Sequence, residues 1–98
     1  MEKTKGARSP TEIDVIVGER IRSERERQGQ TLQELSALCG ISHQQLQKYE
    51  TGTNRVSAGM LWKIAAHQGM PMEAYFPFEL LGQSRADGMA DVPRPRTP

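Results

Sequence analysis

The sequence has little of what defines several classes of protein. It contains one cysteine, Cys39, in 98 residues, which excludes an intramolecular disulfide framework and any zinc site built from cysteine alone. No apolar run approaches the roughly 18 residues that span a membrane. The first ten residues are basic, but no apolar segment follows them, so we expect no signal peptide and a cytoplasmic location. The formal charge of +1 excludes a histone-like or strongly acidic protein.

What is present fits one small domain between two polar tails. Hydrophobic residues make up 36% of the chain and charged residues 26%, which is enough for a modest core. Residues 1–12 have too little apolar side chain to bury, and we expect a disordered basic arm there. Residues 82–98 contain three of the six prolines, which predicts a disordered Pro/Arg tail. The domain is then formed by residues 13–81.

The hydrophobic pattern of residues 13–81 predicts five short helices. Apolar residues recur at helical spacing and no stretch alternates as a strand does, so the predicted fold is all-α. Thr31 begins a capping box, Gly40 has the type and position of a residue that ends a helix, and Ser42 begins a second capping box. The fifth helix begins near Pro71. The residues expected on the buried faces are Ile13, Val17, Ile21, Leu32, Leu35, Leu38, Leu46, Tyr49, Met60, Leu61, Ile64, Ala65, Met72, Phe76 and Leu80.

Two of the predicted helices are close enough in sequence to form a helix-turn-helix. Only Cys39-Gly40-Ile41 separates them, a tight turn that lets the first helix brace the second. The outer face of the second helix carries polar side chains, namely His43, Gln44, Gln47 and Lys48. A glutamine amide can bind adenine with two hydrogen bonds, and a lysine can reach guanine acceptors or phosphate. This pattern favours a DNA-reading helix, and an ordinary solvated helix surface is the alternative.

The same segment resembles a known family. TLQELSALCGISHQQLQKYETG, residues 31–52, is similar to the helix-turn-helix of the Cro/C1-type (XRE) regulators, and TNRVSAGMLWKIA, residues 53–65, is similar to their next loop and helix. The resemblance covers about residues 17–78. It implies a five-helix, lambda-repressor-like domain that binds double-stranded DNA and regulates transcription without a cofactor. We expect no membrane contact and no small-molecule effector.

The resemblance also implies roles for individual residues. Those at positions where the family contacts base edges are His43, Gln44, Gln47 and Lys48. Those at positions where the family contacts the DNA backbone are Ser42, Thr53, Asn54 and Arg55. Arg25 and Glu50 match a pair that ties the first helix to the end of the recognition helix. Leu32 and Gln30 depart from the family pattern: Leu32 replaces a glutamine that often contacts DNA, and Gln30 replaces a usually apolar residue, which puts the local packing in question.

The sequence does not favour a metal site or a catalytic site. Cys39 and His43 lie on opposite sides of a helix break, so we expect neither a metal site with His67 nor a catalytic cysteine–histidine pair. Cys39 is expected to be a small core residue. The carboxylates within residues 19–27 alternate with arginines, as on a solvated helix. We therefore expect no metal and no enzymatic activity.

Charge and aromatic residues bear on the oligomeric state. Residues 13–81 carry seven basic and eight acidic residues, a weak electrostatic match for DNA, so we expect a homodimer on a two-fold site. Trp62, Tyr75, Phe76 and Phe78 fit either the core or an exposed dimer contact. The leading interpretation is a repressor. The alternative is an XRE-type antitoxin or co-regulator that acts mainly through protein–protein contacts.

Overall fold

The computed structural model describes residues 11–80, and this part of the chain is built from helices. In chain order they are α1 (Glu12–Arg27), α2 (Leu32–Cys39), α3 (His43–Glu50), α4 (Ala58–Gln68) and a 3-10 helix (Met72–Tyr75). Residues 78–80 are helical as well. Because residues 11–80 contain helices and no strand, the all-α prediction is confirmed. The predicted tails lie outside the described residues, apart from Thr11 and Glu12, which form the cap and the first residue of α1. None of these helices is long and apolar enough to cross a membrane.

A hydroxyl side chain caps the start of each helix from α1 to α4. The cap residues are Thr11, Thr31, Ser42 and Ser57. The caps of α1 and α2 are complete capping boxes. The box predicted at Ser42 is present in part: its hydroxyl accepts a hydrogen bond from the Gln45 amide at 3.1 Å, and the described residues show no return bond. The local sequence therefore determines where these helices begin.

The core lies between α1 and the helices that pack on it. Helix α1 contacts α3, α4 and the 3-10 helix, while α2 contacts α3 and α4. Complete burial of an aliphatic side chain contributes about 1.5–3 kcal/mol, and Ile21, Leu35, Leu46 and Ile64 are all at 0% exposure. The full set of buried core residues is Val17, Ile21, Leu35, Cys39, Leu46, Leu61, Ile64, Ala65 and Tyr75.

Three residues that the pattern placed on buried faces are exposed, so that prediction was wrong for them. Leu38 is 52% exposed, and Ile13 and Leu80 are also exposed. Helix α2 buries Leu35, Ser36 and Cys39, and at 3.6 residues per turn Leu38 lies roughly 105° from the centre of that face, at its margin. Ile13 lies in the first turn of α1, before its buried face begins at Val17. The other expected residues are buried or pack partly against the core.

The aromatic residues divide between the core and the surface. Tyr75 is buried, whereas Trp62 is 62% exposed and Phe78 is exposed as well. The Tyr75 hydroxyl donates to the side-chain oxygen of Gln68, and the Gln68 amide donates to the carbonyl oxygen of Ile21 at 3.1 Å. Burial raises the pKa of Tyr75 above its ordinary value. This buried polar network joins α1, α4 and the 3-10 helix.

Two glycines allow α1 to lie close to the end of α3. A Cβ atom on Gly18 would lie 2.1 Å from the carbonyl oxygen of Tyr49, so only glycine fits there. Gly52 follows α3 with a φ of +78°, and a Cβ on it would lie 2.7 Å from Cγ2 of Val15. These contacts place the loop after α3 against the first turns of α1.

Candidate nucleic-acid interface

Helices α2 and α3 form the predicted helix-turn-helix. Gly40 ends α2 in the left-handed region, with a φ of +77°, and the Ile41 amide donates to the carbonyl oxygen of Ser36 at 3.0 Å. Leu35 of α2 and Leu46 of α3 are both fully buried. The glycine cap and the packing of these two leucines determine the angle at which α3 leaves the turn.

Most of the predicted base-contacting residues are exposed on the outer side of α3. The helix buries Leu46 and Glu50. The opposite side presents Gln44, Gln47 and Lys48, which are exposed. His43 is half-buried and lies nearer the buried side, three residues before Leu46. Residues three and four apart in a helix share a face, so the two amides and the ammonium group lie beside one another. Their donors and acceptors match the groups that base pairs present in the major groove.

The predicted backbone contacts lie at the two ends of α3. Ser42 caps its N-terminus, and Thr53, Asn54 and Arg55 belong to the loop that follows it; all four side chains are exposed. The amides of Thr53 and Asn54 donate to the carbonyl oxygen of Lys48 at 2.9 and 3.1 Å. The loop therefore folds back onto the last turn of α3, and the structure brings the predicted site residues together along this one helix.

The ion pair expected between Arg25 and Glu50 is present. The Arg25 guanidinium donates to both carboxylate oxygens of Glu50, at 2.7 and 3.0 Å, and to the carbonyl oxygen of Gln30 at 2.8 Å. The side chains are 11% and 3% exposed. The hydrogen bonds to Glu50 raise the pKa of Arg25 above its ordinary value. This pair joins α1 to the last residue of the candidate recognition helix.

A second ion pair at this site was not predicted. Arg55 donates from Nε to Oδ2 of Asp14 at 3.0 Å, so the loop after α3 is tied to the first turn of α1. Burial by itself raises the pKa of Asp14, but hydrogen bonds from Thr11 and Arg55 outweigh it and lower that pKa below its ordinary value. The two residues are 41 positions apart, and no local pattern in the sequence connects them.

The two departures from the family pattern have different outcomes. Leu32 is half-buried and packs against the core, so it belongs to the fold at the start of α2. Gln30 gives its carbonyl oxygen to Arg25, while its side-chain oxygen is buried and has no hydrogen-bond partner in the described part of the chain. The replacement of a usually apolar residue by Gln30 therefore buries a polar atom without a hydrogen bond among the described residues.

The site offers hydrogen-bonding groups and cations rather than a catalytic or metal-binding arrangement. Cys39 is buried and its thiol is free; burial raises the pKa of that thiol. Residues 11–80 contain no group of three or more histidine, cysteine or acidic side chains placed to hold a metal ion. The amides, hydroxyls and cations that are exposed along α3 and its loop can form hydrogen bonds with base edges and contact phosphates.

A comparison with known families also identifies a helix-turn-helix domain. Residues 21–73, more than half of the chain, match the helix-turn-helix family model of XRE-type regulators. The chain belongs to this family. Its named relatives are transcriptional regulators rather than enzymes, which agrees with the prediction of no enzymatic activity.

Two relatives show the extent of the similarity. An HTH-type transcriptional regulator of Sinorhizobium medicae (strain WSM419) is 42% identical over 69 residues, which are 70% of this chain and 50% of that protein. A transcriptional regulator in the ATPase CF(0) region of Rhodospirillum rubrum is 38% identical over 77 residues, 79% of this chain and 71% of that protein. The chain spans about half the length of several such relatives.

Solved structures share the fold of the XRE-type helix-turn-helix domain. The restriction-modification controller protein C.AhdI from Aeromonas hydrophila superposes with a TM-score of 0.61 at 26% identity, covering 63% of this chain and 94% of that one. SinR, a master regulator for biofilm formation crystallised in complex with DNA, superposes with a TM-score of 0.57 at 25% identity, covering 60% and 95%.

Proposed function

We propose that the protein binds duplex DNA in a sequence-specific manner through α3 and thereby regulates transcription. The exposed side of α3 carries this proposal, because Gln44, Gln47 and Lys48 are solvent-accessible while Leu46 and Glu50 anchor the opposite side. An amide can read adenine through two hydrogen bonds, and lysine can reach guanine acceptors. His43, in the first turn, completes the set of proposed base contacts.

The two ends of α3 supply the proposed contacts to the DNA backbone. The N-terminus of a helix favours an anion, and Ser42 adds a hydroxyl there. Thr53, Asn54 and Arg55 extend the contact beyond the C-terminal end. Residues 11–80 carry seven basic and nine acidic side chains, so their formal charge is −2. With so few cations, a single phosphate contact contributes a large share of the sequence-independent affinity.

The form that we favour is a homodimer acting as a repressor. A net-negative domain attracts phosphate weakly, and two copies on a two-fold site double the number of contacts. The exposed Trp62 and Phe78 side chains provide apolar surface that a second copy would cover. A bound dimer blocks a promoter by occupancy alone. This role places the protein in the cytoplasm, on the nucleoid when bound.

The exposed apolar side chains also support one alternative. Leu38 and Trp62 are exposed on α2 and α4 rather than on α3, and would suit a different protein as partner. The protein would then be an antitoxin or co-regulator of the XRE type, and DNA binding would be secondary. A neighbouring gene for a small toxin, together with no salt-sensitive retention on DNA, would favour this alternative.

The proposed function is tested by the salt dependence of binding. Arg55→Ala removes one proposed phosphate contact, so the slope of log affinity against log salt should become shallower by about 0.9, an effect of about eightfold at 0.1 M salt. The loss should be similar on all sequences. Fluorescence anisotropy with a duplex selected from a randomised pool and with a scrambled duplex measures both.

The control for this variant is Arg27→Ala. Arg27 is an exposed cation at the far end of α1 and pairs with Glu24 on the same helix, so its loss should leave the slope nearly unchanged. A changed consensus with an unchanged slope would contradict the backbone role of Arg55. Absence of salt-sensitive binding by the unmodified protein on every duplex would contradict the proposed function itself.

A further inference from the structure

Asp14 holds the charged group of the loop after α3. Arg55 is the only charged residue between Thr51 and Ser57, and its Nε donates to Oδ2 of Asp14 at 3.0 Å. Arg55 is exposed, whereas most of the Asp14 side chain is covered. The carboxylate therefore approaches the guanidinium from the protein side, next to the position of the proposed phosphate contact.

The carboxylate of Asp14 is fixed in place by the start of α1. Its Oδ2 accepts hydrogen bonds from the backbone amide and the hydroxyl of Thr11, at 2.6 and 3.0 Å. These bonds belong to the capping box of α1, so they hold the carboxylate whether or not Arg55 is bound to it. The pKa of Asp14 lies below its ordinary value, and the group is ionised at neutral pH.

A carboxylate and a phosphate are alternative partners for one guanidinium, since both accept charge-assisted hydrogen bonds from it. In the free protein the charge of Arg55 is already balanced by Asp14. We propose that Asp14 competes internally with DNA phosphate for Arg55 and so weakens DNA binding. This inference rests on the proposed function, and it assigns to Asp14 a role that opposes binding.

The loop keeps its position without this ion pair. Gly52 lies against Val15 of α1, and the amides of Thr53 and Asn54 are bonded to the carbonyl oxygen of Lys48. Removal of the Asp14 charge should therefore weaken the hold on the guanidinium without moving the loop. Asn at position 14 keeps the size of the side chain and can still accept hydrogen bonds from Thr11.

The test is Asp14→Asn in the anisotropy titration, on the selected duplex and on a scrambled one. We expect tighter binding to both, by about two- to fivefold at 0.1 M salt, because an ion pair of this kind no longer has to be broken, and a slope close to that of the unmodified protein, since Arg55 contacts the same phosphate in both. The matched control is Glu12→Gln, which removes one negative charge from an exposed position in the same helical turn and leaves the bond between Asp14 and Arg55 intact. Thr11→Ala weakens the cap but keeps the carboxylate, and it should not tighten binding.

Each outcome decides the inference. Tighter binding by Asp14→Asn, with a much smaller gain by Glu12→Gln, supports it. Weaker or unchanged binding by Asp14→Asn overturns it, and a weakened variant would show that Asp14 positions Arg55 for DNA. An equal gain by Glu12→Gln also overturns it, because the effect would then belong to overall charge. If the unmodified protein shows no salt-sensitive binding, the proposed function fails first and this inference fails with it.

Discussion

Replacement of Arg25 by alanine should destabilise the fold strongly. Arg25 makes two hydrogen bonds to Glu50 and a third to the carbonyl oxygen of Gln30, all within 3.0 Å. Only 3% of the Glu50 side chain is exposed, so Arg25→Ala leaves a carboxylate buried without its partner. Stranding a charge in this way costs about 3–5 kcal/mol. A domain of this size has a free energy of unfolding of roughly 4–10 kcal/mol, at 0.05–0.15 kcal/mol per residue.

The comparison variant is Arg22→Ala, one turn away on the same helix. Arg22 is 59% exposed and pairs with Glu26, and exposed pairs of this kind contribute less than about 1 kcal/mol. Urea unfolding of both variants measures the difference. Equal free energies of unfolding would refute the reasoning.

A double variant isolates the stranded charge. Arg25→Met with Glu50→Leu removes both charges, so it should cost less than Arg25→Ala alone. If the double variant costs as much as the single one, the unpaired carboxylate is not the cause of the destabilisation.

Two further predictions follow from the buried network and from the chain ends. Tyr75→Phe leaves the Gln68 side-chain oxygen without a donor and should cost about 1–3 kcal/mol at neutral pH. Burial raises the folded-state pKa of Tyr75, so its contribution to the free energy of unfolding is complete below the ordinary tyrosine pKa of about 10 and declines as the pH rises above it. Urea unfolding at alkaline pH should therefore show a smaller loss of stability in Tyr75→Phe than in the unmodified protein. An equal loss in both would contradict this. Deletion of residues 1–10, which precede the turn next to Arg55, should weaken DNA binding several-fold and flatten its salt dependence, whereas deletion of residues 83–98 should change neither. Intact affinity without residues 1–10 would contradict the hypothesis that this basic arm contacts DNA phosphates, and a loss without residues 83–98 would contradict the expectation that the C-terminal tail faces away from the DNA.

Local signals in the sequence predicted the helix-turn-helix well. The caps at Thr31 and Ser42 and the left-handed Gly40 depend on residues within four positions of each other, so the sequence identifies them directly. The burial of Leu35 and Leu46 follows from helical periodicity. The exposed side of α3 then follows by elimination, because its buried positions are known.

The hydrophobic pattern of the sequence did not predict contacts between distant segments. The bond between Asp14 and Arg55 and the close approach of Gly18 to the end of α3 depend on how the helices cross. Leu38 and Trp62 have the residue types of a core, yet they lie outside it, because a short helix has room for few inward positions. Arg25 and Glu50 were predicted across 25 positions only through the family resemblance.

Whether α3 reads base sequence is tested by Gln44→Ala. Gln44 is exposed in the first turn of α3, where its amide can make two hydrogen bonds to one base. A duplex selected from a randomised pool by the unmodified protein serves as the cognate site, and its scrambled version as the reference. Gln44→Ala should lose about 1–3 kcal/mol of binding free energy on the cognate duplex, relax the preference at one or two base pairs, and bind the scrambled duplex as before. Equal weakening on both duplexes, with an unchanged preference at every position, would contradict base reading by α3.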